Sequence, residues 1–358
     1  MLKVLHGWFN RYFSDEQAVI LLVLLLAGLA IIVFLGAMLT PVFASIVIAF
    51  VLQGPVAALV RRGLHHNLAV AIVFTLFLGA LVATLFGLVP VLWRQLTGLV
   101  AEFPRMVADL QAYIELLPQA YPQFFSKELS QQLFQQAALE ASTFGQWLVS
   151  VSLSKIPNLI GLLIYLVLMP ILVFFLLKDR AQILQSLSSM LPAERRLMTQ
   201  IWNDMNQQFA NYIRGKVMEI IIVGAVTYVA FVILGLNYAA LLAILVGLSV
   251  VIPYIGAVAV TVPVAMVGFF QWGWGSEFIT MMAVYGIIQA IDGNVLVPLL
   301  FSEVVNLHPV SIIIAVLVFG GIWGFWGIFF AIPLATMFKA IFTAWPRTST
   351  ELEGAAQR

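Results

Sequence analysis

From Ile220 to Phe338 the chain carries no Lys or Arg and only three acids, Glu277, Asp292 and Glu303. Long apolar runs fill this stretch, punctuated by Gly and Pro at Ile252-Pro253-Tyr254-Ile255-Gly256, Ile291-Asp292-Gly293-Asn294 and Gly320-Gly321-Ile322-Trp323-Gly324-Phe325-Trp326-Gly327. A segment this apolar is stable in lipid. Every backbone N–H and C=O must be paired there, so interrupted helices persist only where protein or a water-filled cavity covers the freed groups. Interrupted helices with a buried acid are also how many membrane carriers build a substrate or ion site. This region therefore reads as the working part of a membrane transport protein.

Composition supports that placement. The 358 residues are 63% hydrophobic and 9% charged, against roughly 25% charged in soluble domains. The fold expected is all-α and polytopic: about eight transmembrane or re-entrant helical segments, broken in the C-terminal half, with a helical extracytoplasmic insert. A net charge of +1 gives no reason to expect nucleic acid. With no Cys, thiol catalysis and thiolate metal sites are excluded, and four scattered His do not suggest a metal site. The phosphate loop G-x-x-x-x-G-K-[ST], H-E-x-x-H and G-x-S-x-G are all missing, which argues against an enzyme and against any nucleotide or other cofactor.

Five regions follow from the charge pattern. Residues 1–92 hold a polar start and the N-terminal spans. Ala18 to Leu39 is uncharged and longer than the roughly 7–15 residues of a secretory core, so it reads as a retained first helix. Thr40-Pro41 breaks it from a second span reaching Val60, itself interrupted at Gln53-Gly54-Pro55. Leu68 to Trp93 is a third. Residues 93–155 are polar. Within them Leu96, Val100, Phe103, Val107, Leu110, Ile114 and Leu117 recur at alternating steps of four and three, a seam that needs a partner. The partner is either a second helix suggested by Leu129 to Leu148 or a neighbouring subunit; the seam and the Gly cluster together suggest a homo-oligomer. Residues 156–216 comprise a fourth span and a basic amphipathic segment, on which Leu197, Ile201, Met205, Phe209 and Tyr212 share a face. Residues 217–343 are the transport region and 344–358 a polar tail. Basic flanks at Arg61-Arg62, Lys178 to Lys216, and Lys339 with Arg347 place these parts and both termini in the cytoplasm, and the 93–155 insert outside.

Asp292 is the leading candidate for chemistry. A charged Asp at the centre of a span costs roughly 2.5–3.5 kcal/mol, and the sequence offers no nearby base. A partner must come from elsewhere in the fold, from water, or from a bound cation or proton. Gln289 lies on the same helical face one turn earlier, and Asn294 follows Gly293. Asp292-Gly293 alternatively reads as a turn or N-cap between half-helices. The walls or gates of such a site are expected at Pro253 and Gly256 and at Gly320, Gly321 and Gly324. Arg214, Lys216 and Glu219 stand at the expected entry to the fifth span, either as interfacial charges snorkelling to water or as a gate and charge partner for Asp292. A weak echo at an offset of 71 sets Gly235 to Ala240 against Asn306 to Ser311, and Gly256 on Gly327. Corresponding broken segments of this kind point to a binding region.

Several short stretches, in order, resemble the autoinducer-2 exporter family, also called PerM-type permeases. They are Phe174 to Arg180, Tyr212-Ile213-Arg214-Gly215-Lys216, Ile252 to Gly256, Asp292 to Pro298, Leu307-His308-Pro309-Val310 and Ala331-Ile332-Pro333-Leu334. Their order and spacing, from about Ala18 to Ala340, carry the resemblance, and the PerM branch is the most similar. The resemblance implies a bacterial inner-membrane protein with about eight membrane segments, an extracytoplasmic helical insert and homo-oligomeric assembly. It also implies export of a signal molecule or, in some members, sodium–proton antiport. The expected function is a secondary or facilitative transporter of a small polar solute, with H+ or Na+ as coupling ion. The alternatives are an antiporter without organic substrate and a scaffold that transports nothing.

Overall fold

The computed structural model describes residues 16–120, 132, 135, 159–189, 196–301 and 307–344. The second insert helix expected at Leu129 to Leu148, Glu303 and the tail from residue 345 lie outside the described residues. All regular structure among the described residues is helical, as expected. Six helical stretches there are long and apolar enough to cross a membrane, and four shorter apolar helices accompany them.

The first helices, α1 (Glu16–Leu35), α2 (Thr40–Arg61) and α3 (His66–Ala83), are separated by short turns. α2 begins on Pro41, whose missing N–H costs nothing in a first turn. It packs on α5 (Leu159–Lys178), and the Ser45 hydroxyl ties the two by lying 2.6 Å from Pro41 O and 3.1 Å from Met169 O. Ala49, Val56, Val70, Val73 and Val173 form the core of this group. The helix α6 (Arg180–Ser189) follows.

Two expected boundaries are absent. A π-helical turn at Thr84–Leu88 carries α3 into α4 (Val89–Ala120), so the third span and the insert seam form one rod. Pro104 and Pro118 lie inside α4. The face of α4 that packs within the chain is turned from the expected seam: Leu99, Phe103 and Met106 are buried, Leu96, Leu99 and Met106 join a core with Val264, Val267 and Phe278, and the seam residues Val100 and Val107 are only half-buried. The Gln95 side chain accepts a 2.8 Å bond from Leu241 N, and Tyr238 hydrogen-bonds Glu102.

The second missing boundary matters more. One helix, α7 (Arg196–Ile233), runs through 38 residues where an interfacial helix and a separate fifth span were expected. At 1.5 Å per residue it is about 57 Å long, well beyond a hydrocarbon core of about 30 Å. Its spanning part is Met205–Ile233. Arg214, Lys216 and Glu219 therefore lie within one continuous helix, just before its uncharged stretch 220–233.

Around α7 are packed α8 (Ala239–Ser249), α9 (Ile255–Trp272), α10 (Ser276–Ile291), α11 (Val297–Phe301), α12 (Pro309–Phe329) and α13 (Ala331–Ala344). The closest helix crossing is at Gly224 of α7 and Gly247 of α8, where a Cβ on Gly247 would lie 2.9 Å from Ile220 O. Small residues let backbones approach where lipid gives no hydrophobic drive between helices. The expected cluster at 320–327 has another role. At 11 residues, α8 is about 16 Å long and cannot span. The chain reverses after it, and α9 returns beside it. A Cβ on Gly256 would overlap the carbonyl oxygen of Ser249, so the reversal closes only over glycine. A Cβ on Gly327 would likewise overlap Phe319 O, across a bend made by Gly324 at φ 60°. The two broken segments noted at an offset of 71 thus share a helix start near Tyr238 and Pro309 and a glycine-closed reversal.

The charge asymmetry predicts α4 outside and α6 inside. Glu115→Cys and Ser186→Cys, introduced singly into this cysteine-free chain, should react with an impermeant maleimide from opposite sides. Labelling from one side would overturn the assignment.

Candidate functional site

A cavity of about 420 Å³ lies where α7, the α8–α9 reversal, the end of α10, α11, α12 and α13 converge. Each element brings its residues for a local reason. α7 presents Tyr212, Lys216 and Glu219, spaced by four and three, on one face. The reversal contributes Val250, Ile252, Pro253 and Tyr254. α10 contributes Gln289, and the turn beyond it Asp292 and Gly293. The cavity is lined from two helical stretches apolar enough to cross a membrane, Met205–Ile233 and Ser276–Phe301.

Lys216 and Glu219 are buried, with 4% and 2% of their surface exposed, so the snorkelling reading is wrong. The Lys216 ammonium lies 2.7 Å from Glu219 Oε2, donates a 3.0 Å bond to Val250 O at the end of α8, and stands 5.0 Å from the centre of the Phe301 ring. Carbonyls at a helix C-terminus carry partial negative charge and suit a cation. Gly215 lets the Phe301 ring press against α7, and Tyr212 donates a 2.9 Å bond to Phe329 O. These contacts join α7 to both broken segments.

Asp292 does not sit at a break. The chain passes through it into a π-helical turn, Asp292–Leu296, and on into α11. Gly293 has no positive φ, so the turn or N-cap reading fails. The widened turn keeps the backbone bonded while opening the helix wall, a device frequent at functional sites. Asp292 Oδ1 and Gln289 Nε2 are buried and have no hydrogen-bond partner among the described residues. Lys216, a cation that the local sequence did not offer Asp292, lines the same cavity.

Other expected site residues are elsewhere. Asn294 is exposed and donates a 2.9 Å bond to Ala290 O, bracing the π turn in place of facing the cavity. Arg214 is exposed on the opposite side of α7 from Glu219's neighbours. Gly256 closes the reversal just behind the wall formed by Tyr254 and Ala257. Gly320, Gly321 and Gly324 shape the bend in α12 and do not line the cavity; that helix contributes Ile312. Tyr254, with φ 63°, is the residue most clearly missed. A bulky side chain at positive φ is strained, and such strain concentrates at functional sites. Its place between Pro253 and Gly256 was the available signal. Tyr212, on the amphipathic face and in the motif Tyr212 to Lys216, is a further lining residue that was not expected at the site.

Next to the cavity, the Thr261 hydroxyl donates a 2.7 Å bond to Ala257 O, so Tyr285 is the donor in its 3.0 Å contact with Thr261. This pair continues the Gln289–Asp292 face of α10 by one turn. Among the described residues no cluster of His or acids has the makings of a metal site.

The sequence profile described as AI-2E family transporter matches residues 21–347. The chain is 47% identical to the protein named permease PerM in Escherichia coli (strain K12), over 97% of this chain and 98% of the relative. It is 27% identical to the transport protein YueF of Bacillus subtilis (strain 168), over 87% and 85% of the two chains. To YrrI, a transport protein of the same organism, it is 26% identical over 87% of each. With a profile match that runs from the first helix to the last and a near-full-length relative at this identity, the chain belongs to the AI-2E family of transporters.

Proposed function

We propose that the protein is a secondary or facilitative transporter, and not an enzyme, that binds a small polar solute in the cavity around Asp292 and Gln289. One observation carries this reading: a buried acceptor and a buried donor, one helical turn apart, line the cavity without a hydrogen-bond partner among the described residues. Unpaired groups in low dielectric are costly unless a ligand or water completes them. About 420 Å³ falls in the range of small-molecule sites and is far larger than a bare cation. The flanking α8–α9 and α12 reversals supply segments able to rearrange as access alternates between the two sides. Proton or sodium coupling runs through Asp292, whose buried Oδ1 has no hydrogen-bond partner among the described residues. We place the protein in a bacterial inner membrane with both termini in the cytoplasm. Copies associate through the distal seam at Leu110 and Ile114, which is only half-buried in one chain.

Asp292→Asn retains the shape of the side chain and removes its charge and titration. In proteoliposomes it is expected to insert normally and to lose at least about 90% of solute flux, with Asp292→Glu retaining part; the loss of one charge-assisted hydrogen bond, roughly 1.5–3 kcal/mol, is enough. Parent-like flux in Asp292→Asn at every pH would move the site to the Gly-Pro reversals.

A further inference from the structure

Charge balance in the cavity identifies the class of solute. Three ionisable groups of opposing sign face it: Lys216, Glu219 and Asp292. Lys216 is committed to Glu219, to Val250 O and to the Phe301 ring. With both carboxyls ionised, one ammonium serves two carboxylates; Lys216 pairs with Glu219, and the excess negative charge falls on Asp292. Beside it, Gln289 offers an unused amide donor. We propose, resting on the transport reading above, that the solute is a small organic monocation with a hydrogen-bond acceptor next to its charged nitrogen. Asp292 takes the ammonium and Gln289 takes the acceptor.

The rest of the wall agrees. Val297, Ile312 and Ile332 are apolar and suit a hydrocarbon body. Tyr254 is among the lining residues and adds an aromatic ring, a group that attracts cations. A neutral solute would cover Asp292 without compensating it, which costs more than leaving it in water. An anion would meet a like charge in a low-dielectric site. A bare inorganic ion would leave most of the volume empty. The Lys216–Glu219 pair acts as a neutral spacer. It keeps Lys216 from filling the place meant for the solute.

The test uses purified protein in nanodiscs and three probes of one shape: phenylalaninamide (cation with a neighbouring carbonyl), N-acetylphenylalaninamide (neutral) and phenylalanine (zwitterion with an added carboxylate). Calorimetric titration should show phenylalaninamide binding at least about tenfold more tightly than the other two, the equivalent of about 1.4 kcal/mol. Asp292→Asn should remove that preference and Asp292→Glu keep it. Glu219→Gln should also weaken phenylalaninamide at least about tenfold although it touches no ligand, because it frees Lys216 to neutralise Asp292. The double variant Lys216→Met/Glu219→Gln restores the single excess charge and should restore binding. If Glu219→Gln fails to assemble, the Asp292 pair of variants decides. Equal binding of all three probes, binding of none, or an unchanged preference in Asp292→Asn overturns the proposal.

Ala257→Trp, which fills the cavity, separates this outcome from the reading beneath it. Flux of the three probes, glycerol and sodium is compared in proteoliposomes. If filling the cavity stops flux of any solute while the charge pattern fails, the site stands and the substrate class falls. If flux is untouched, the site itself falls.

Discussion

Lys216→Met is expected to destabilise the protein by roughly 3–5 kcal/mol, since it leaves a buried carboxylate unpaired. The basis is the burial of Lys216, 2.7 Å from Glu219 and bonded to the end of α8. Removing it strands Glu219 and leaves the Val250 carbonyl without its bond to the ammonium. The double variant Lys216→Met/Glu219→Gln removes both members of the pair. It should recover most of the loss, as uncharged replacements of buried ion pairs often do. Thermal unfolding in nanodiscs, read by tryptophan fluorescence, measures both. A Tm for Lys216→Met equal to that of the parent would mean that the pair is fully solvated and that Glu219 needs no partner.

Gly256→Ala and Gly327→Ala should each prevent a reversal from closing. In both, the added methyl would overlap a backbone carbonyl oxygen, of Ser249 and of Phe319 respectively. Backbone cannot move aside as a flexible side chain does, so the cost is set by overpacking, about 1–3 kcal/mol or more per site. At Gly256 the displaced wall is that of the cavity, so binding should fall with stability. Gly286→Ala is the control. It is helical with open space around its Cβ position, and Ala there should be neutral or stabilising by up to about 1 kcal/mol. Size-exclusion profiles and Tm values of the three variants distinguish these outcomes. If Gly256→Ala matched Gly286→Ala, the reversal would be open in the native protein.

The broken segments were legible because Gly and Pro report local backbone needs. Gly256, Gly324 and Gly327 act at the bends where the punctuation placed them. Asp292 and Gln289 were legible because a polar residue in an apolar run is a local anomaly. Asn294 belonged to the same anomaly and yet faces away, because its side chain serves the π turn and not the cavity. The π turn itself left no readable mark. Asp-Gly is a turn signal in water, but within a span the helix keeps its hydrogen bonds by widening and does not break.

By itself, the sequence determined that the chain lives in a bilayer, that it is helical, that its last third is interrupted, and that Asp292 requires a partner. All of these follow from transfer free energy and local backbone preference, which depend on residues close together in the chain. Only the tertiary structure decided where that need is met. It carried α7 unbroken into the membrane, buried Lys216 with Glu219, and set both against Asp292 from a distant helix. It also turned the packed face of α4 away from the expected seam, onto Leu99, Phe103 and Met106. Charges are paired in space, and in low dielectric each ion takes the counter-charge that packing brings within reach, however far apart the two lie in the sequence.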